Sequence, residues 1–139
     1  GCLEAVVGWP AVRERLAQAT GAPIAALNEQ WLADRASRGD EAVVQELNRV
    51  GRAIGRALAA AVNLINPKIV ICDGPLMRAA DVLLPAVEAE LARGTIAYAG
   101  ERTKLVVSAL YPHAAAIGAA AAVISAWERQ SDPLEAMTL

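Results

Sequence analysis

The sequence predicts a helix-rich α/β chain with about two parallel strands. Three observations carry that expectation. An apolar stripe of helical period runs from Glu41 to Ile65 and stops at Asn66-Pro67. A short run from Lys68 to Cys72 follows, almost wholly apolar and without alternation, the pattern of a parallel strand covered on both faces. A second such run, Lys104 to Val107, comes after another helical stretch, so helices and strands alternate as in right-handed β-α-β crossovers.

The elements can be justified in order. Leu3 to Val7 reads as the first turns of a helix, with Pro10 bending or restarting it and Val12, Leu16 and Ala19 continuing its stripe as far as Thr20-Gly21. A second helix is expected from about Pro23 to Arg35 on the spacing of Ile24, Leu27, Trp31 and Leu32, stopped by Arg38-Gly39. Asp40 is a good N-cap for the third helix, and Glu41 in its first turn complements the helix dipole. That helix aligns Val43, Val44, Leu47, Val50, Ile54, Leu58, Ala61, Val62 and Ile65. Gly51 and Gly55 lie four apart within it. Each costs about 1 kcal/mol of helix propensity relative to alanine, so close approach of another backbone is the expected compensation.

Pro67 cannot continue a helix and moves Asn66 out of the α region. The strand Lys68 to Cys72 exits through Asp73-Gly74-Pro75 into a helix from about Pro75 to Ala92, with Leu76, Leu83, Leu84, Val87 and Leu91 inward and Arg93-Gly94 at its end. After the strand Lys104 to Val107, a last helix is expected from His113 to about Glu128, with Gly118 at a close helix contact. Two strands do not make a stable sheet by themselves. The chain therefore reads as a fragment, a single carboxyl-terminal domain over 1–139, whose sheet is completed by upstream strands or another chain; a start at Gly1 in place of Met agrees.

Composition narrows the function classes. The chain is 55% hydrophobic, with much alanine and no Phe, which suits closely packed helices. A net charge of -2, without a basic arm or a Lys/Arg cluster in the linear sequence, gives no electrostatic footprint for nucleic acid. No apolar run approaches the roughly 20 residues that span a bilayer, and no charged-then-apolar leader is present, so no membrane role and a soluble, cytoplasmic protein are expected. Cys2 and Cys72 do not read as a disulfide framework. The chain holds no G-x-x-x-x-G-K-[ST], G-x-G-x-x-G or H-E-x-x-H motif, and no catalytic residue is assigned to it.

The opening Gly1-Cys2-Leu3-Glu4-Ala5, the helix Gly51-Arg52-Ala53-Ile54-Gly55-Arg56-Ala57-Leu58 leading into Asn66-Pro67, the strand with Asp73-Gly74, and Ala116-Ile117-Gly118-Ala119-Ala120 occur in an order and spacing that resembles the carboxyl-terminal part of the ROK family (repressors, open reading frames and sugar kinases). The opening is the most specific piece, since Gly-Cys-Leu-Glu fits the last four positions of the family's C-x-C-G-x-x-G-C-x-E. The resemblance covers Gly1 to about Ser125. It implies part of the second lobe of an actin-like, ribonuclease-H-like fold.

The resemblance also implies roles for single residues. Cys2 corresponds to one ligand of a structural zinc whose other three ligands lie upstream. Glu4 corresponds to the glutamate that accepts hydrogen bonds from sugar hydroxyls; the bare sequence favours a first-turn glutamate placed by the dipole, and the four-residue match brings the two readings level. Gly74 corresponds to the second of two glycines near the nucleotide's adenosine in the kinases, and Asp73 stands where the first normally falls, in a turn that is otherwise a plain Asp-Gly turn. His113 has no carboxylate or cysteine beside it in sequence. Cys72, Trp9, Trp31 and Trp127 read as packing residues.

Three functions compete. The first is the sugar-effector-sensing and oligomerisation part of a ROK transcriptional regulator, with DNA bound only through an upstream winged helix-turn-helix; the loss of the first glycine at Asp73 and the tail Ser131-Asp132-Pro133-Leu134 favour it. The second is the carboxyl-terminal lobe of a ROK hexose kinase, which would use ATP and magnesium. The third is a helical oligomerisation module, since the resemblance implies a homo-oligomer and the small-residue helix faces suit an interface.

Overall fold

A computed structural model describes residues 2–96 and 103–130. They fall into two compact units, one ending at Val107 and one starting at Ser108. The first holds α1 (Leu3–Val7), α2 (Trp9–Thr20), α3 (Glu29–Ser37), α4 (Glu41–Ile65), β1 (Ile69–Cys72), α5 (Ala80–Gly94) and β2 (Lys104–Val107). The second holds α6 (Ala114–Gln130). The tail Ser131-Asp132-Pro133-Leu134 lies outside the described residues.

Helix α4 runs over the span that its stripe predicts. Asp40 caps it, its carboxylate accepting from the Val43 amide at 3.3 Å. Asn66 ends it in the left-handed region at φ 50, and its N–H donates to Val62 O at 2.8 Å. The proline after it thus excludes the right-handed α region as expected, and a left-handed cap is the conformation taken. Val43, Leu47, Val50, Val62 and the two glycines are buried, whereas Ile65, at the end of the stripe, is 70% exposed.

The glycines seat α5. A Cβ on Gly51 would stand 2.8 Å from both Ala86 Cβ and Leu83 O, and one on Gly55 would stand 2.5 Å from Val87 O and 2.7 Å from Glu90 Cβ. At the far end a Cβ on Gly94 would lie 2.7 Å from Ala59 Cβ. The propensity cost of Gly51 and Gly55 is thus offset by a backbone-to-backbone seam, as their spacing suggested. Asn63 closes the end of the seam, donating to Gly94 O at 2.9 Å and accepting from Ile96 N–H at 3.0 Å.

Strands β1 and β2 pair in parallel, Ile69 opposite Lys104 and Cys72 opposite Val107. Val70 and Leu105 pack on Ala59, Val62 and Leu91. Ile69 (56% exposed), Ile71 (69%) and Val106 (43%) turn the other way. The expectation of a strand covered on both faces is therefore met on one face only among the described residues of this unit.

Two helix boundaries differ from expectation. The span Pro23 to Arg35 is not one helix. It is a 3-10 turn, Ile24–Ala26, followed by α3, because Asn28 accepts from the Trp31 amide at 2.9 Å and restarts the chain as an N-cap. Likewise Pro75–Ala79 is a 3-10 turn and α5 begins at Ala80. Leu76 and Ala79 of that turn are buried in the main core with Leu32 and Ala36 of α3.

The second unit opens with a turn in which His113 N–H donates to Leu110 O at 2.7 Å, and α6 follows. Within residues 108–130 nothing lies within 4 Å of a Cβ placed on Gly118, so the close helix contact expected there is not made inside this unit. Among the described residues no helix is long and apolar enough to cross a membrane.

Candidate functional site

Cys2 and Glu4 sit together at the start of α1. Cys2 is the N-cap, extended at φ -74 and ψ 159, and its thiol is exposed. Glu4 lies in the first turn, exposed, with its backbone carbonyl accepting from Gly8 N–H at 2.7 Å. Its carboxylate folds back toward Gly8. A Cβ there would stand 2.5 Å from Glu4 Oε1 and 2.6 Å from Glu4 O. Gly8 is buried and has an ordinary φ of -60, so space rather than conformation asks for glycine at this position.

A tetrahedral zinc needs four ligands, and no group of three or more His, Cys, Asp or Glu side chains is gathered among the described residues. Among the described residues, no such group surrounds Cys2. His113 is exposed at the head of α6, in the other unit.

Asp73 and Gly74 form a second group, at the carboxyl end of β1. Gly74 takes φ 114 and ψ 178, a conformation essentially reserved for glycine, and its carbonyl accepts from Met77 N–H at 3.0 Å. No atom lies within 4 Å of where its Cβ would be, so the requirement is conformational. Asp73 is exposed and does not have a positive φ. An aspartate at this position is unstrained, and what it changes is the space and charge in front of the turn. No hydrogen bond or ion pair found among the described residues joins this group to Glu4. Cys72, just before it, is half-buried, and burial pushes its thiol pKa up, which fits a packing residue.

Three residues that the sequence reading passed over connect α1 to the scaffold. Arg15 of α2 donates through Nη2 to Val6 O and through Nε to Glu46 Oε1 of α4, the latter at 2.8 Å. Arg49 holds the same carboxylate from the next turn, Nε to Oε2 at 2.9 Å and Nη2 to Oε1 at 3.1 Å. That hydrogen bond raises the Arg49 pKa. A cleft of about 680 Å³ between α2 and α4 is lined by these three residues and Arg52. The usable signal was Pro10, which leaves a helical carbonyl without a donor.

Known proteins can now be compared with this geometry. Residues 1–126 match the ROK family. The chain belongs to the ROK family. The N-acetylglucosamine repressor of Escherichia coli O157:H7 is 32% identical over 130 residues, covering 88% of this chain and 32% of that protein. A crystal structure of a ROK family transcriptional regulator, described as a homolog of E. coli MLC protein, superposes with a TM-score of 0.67 at 28% identity, over 77% of this chain and 29% of that one. A putative sugar kinase from Cytophaga hutchinsonii superposes with a TM-score of 0.76 at 19% identity, over 88% of this chain and 44% of that one. The last likeness shows the shared fold, the actin-like architecture of ROK proteins. The chain spans about a third of the length of the repressor it matches.

Proposed function

We propose that this ROK chain is the sugar-effector-sensing and oligomerisation part of a transcriptional regulator. Glu4 carries the reading. It is an exposed carboxylate on the first turn of α1, two residues from a thiol at the N-cap, and its two oxygens can accept from adjacent hydroxyls of a hexose. Cys2 would supply the fourth ligand of a structural zinc whose remaining ligands lie upstream of residue 1. DNA is held by an upstream domain. Effector binding shifts the balance between operator-bound and released states through its different affinity for the two. The similarity to the N-acetylglucosamine repressor supports a regulator. Asp73, where the kinases carry glycine, supports it too, because a carboxylate before the turn repels phosphates.

The alternative is the lobe of an ATP-dependent hexose kinase. Gly74 favours it, since its open, positive-φ turn leaves room for a nucleotide. Calorimetry on the full-length protein separates these readings. Glu4→Gln is expected to weaken N-acetylglucosamine binding by roughly ten- to a hundred-fold, the worth of about 1.5–3 kcal/mol for hydrogen bonds to a charged group. Unchanged affinity removes Glu4 as a site residue, and transfer of the ATP γ-phosphoryl group to the hexose by the wild type, with release of ADP, replaces the regulator with the kinase. Zinc analysis of Cys2→Ser protein tests the metal role, with loss of about one zinc per chain expected.

A further inference from the structure

Pro10 leaves a gap in the hydrogen bonding of the segment that carries Cys2 and Glu4. The Val6 carbonyl lies in the last turn of α1, which ends where Gly8 is extended at ψ 141, and Pro10, four residues on, has no N–H to give it. The Arg15 guanidinium supplies the donor instead, Nη2 to Val6 O. Its Nε is held by Glu46, whose side chain is 10% exposed and clasped from the other side by Arg49. Helix α1 has no buried residue of its own. It lies against α4 and α2, Val7 and Trp9 pack at its carboxyl end on the main core, and the polar relay adds a directional tie to α4.

We propose that Arg15 is a positioning residue for Glu4: by replacing the amide that Pro10 lacks and anchoring to Glu46, it fixes the angle at which α1 presents the Glu4 carboxylate to a hexose. The inference rests on Glu4 as the hydroxyl acceptor. Arg15 acts through the helix and touches no ligand. Arginine suits the task because its rigid fork offers Nε and Nη donors to two acceptors at once, whereas lysine offers a single point of charge. Hydroxyl recognition is sensitive to such an angle, since a hydrogen bond weakens steeply as it departs from linearity.

The test is a double-mutant cycle on the full-length protein, titrated with N-acetylglucosamine, glucose and mannose in turn. Arg15→Lys keeps the charge beside Glu46 and loses the fork. It is expected to weaken binding about three- to ten-fold in the wild-type background and less than about two-fold when Glu4 is already Gln, because residues acting through one another are not additive. Glu46→Gln, which keeps one acceptor oxygen, is expected to reproduce part of the loss. Equal losses in both backgrounds, or no loss in the wild type, overturn the positioning role while leaving the functional reading intact. If Glu4→Gln itself has no effect, or none of the three hexoses binds the wild type, the functional reading fails and the positioning role falls with it.

Discussion

The α4–α5 seam and helix α1 are held in opposite ways. The seam is made by removing side chains: Gly51 and Gly55 bring α5 so close that Val87 O stands 2.5 Å from a hypothetical Cβ. Its flanks are the fully buried Val50, Val62 and Leu83. Helix α1 has no fully buried residue; it lies against α4 with Val7 on the main core, and a guanidinium bridge ties its Val6 carbonyl to Glu46. Packing of the first kind tolerates no displacement, because dense cores resist deformation. A polar tether with a half-exposed arginine gives more readily, and ligand-binding segments are drawn from that low-stability end. The scaffold is thus fixed by the seam rather than by the element that carries Glu4, an arrangement that suits the proposed effector site.

Gly55→Ala has the largest expected effect and strikes the seam. The methyl meets backbone at Val87 and the Glu90 Cβ, neither of which can swing aside. Overpacking of about 1–3 kcal/mol is expected to outweigh the gain in helix propensity of about 1 kcal/mol. Denaturant melts of the full-length protein check it, and an unchanged or raised midpoint breaks the contrast between a rigid seam and an adjustable helix.

Gly8→Ala strikes the other region. The crowding involves Glu4 O and the end of the Glu4 side chain, and the latter can move. A loss of about 1–2 kcal/mol in stability is expected, since Glu4 O is backbone and gives way only if the short α1 shifts, together with weaker N-acetylglucosamine binding. A large fall in stability with unaltered binding makes α1 part of the rigid scaffold and removes the contrast.

The smallest expected effect lies at the junction of α3 and α4. Hydrogen bonding from Arg35 first, and then from the Val43 amide, holds the Asp40 carboxyl below its ordinary value of 3.8. A depressed carboxyl contributes stability that is complete above its unfolded pKa and lost as pH falls through the folded one. Asp40→Asn retains an N-cap side chain but loses the ion pair, so a deficit of about 0.2–1 kcal/mol is expected at neutral pH. The deficit is expected to shrink below about pH 4 as the wild-type carboxyl is protonated. Thermal melts of both proteins from pH 7 to pH 2.5 measure it, and a deficit constant across that range assigns the whole effect to the cap.

Much of this is written in local chemistry. The period of α4, its Asp40 cap, the stop at Asn66-Pro67, the two parallel strands and the break before Pro10 follow from propensities and periodicities that act within a few residues. The four residues Gly1 to Glu4 and the ordered motifs after them pointed to the ROK family, and residues 1–126 match it. Even the glycine pair announced a close neighbour, because two glycines in one helix face have a cost that needs an offset.

Tertiary structure decided which neighbour came and what held the ends. That α5 fills the Gly51 and Gly55 notch, that α3 starts at Asn28 while the preceding turn stays 3-10, and that Ile69 and Ile71 lie on an exposed face depend on contacts between elements far apart in sequence. The same holds for Arg15, Glu46 and Arg49. In the linear sequence they are unremarkable charges, separated by up to 34 positions. Only the folding of α2 against α4 brings Arg15 to a half-buried carboxylate and to the Val6 carbonyl, which has no amide from Pro10. Sequence fixes where a backbone group loses its local partner; which distant side chain replaces it is set by packing, because that choice depends on geometry no short window contains.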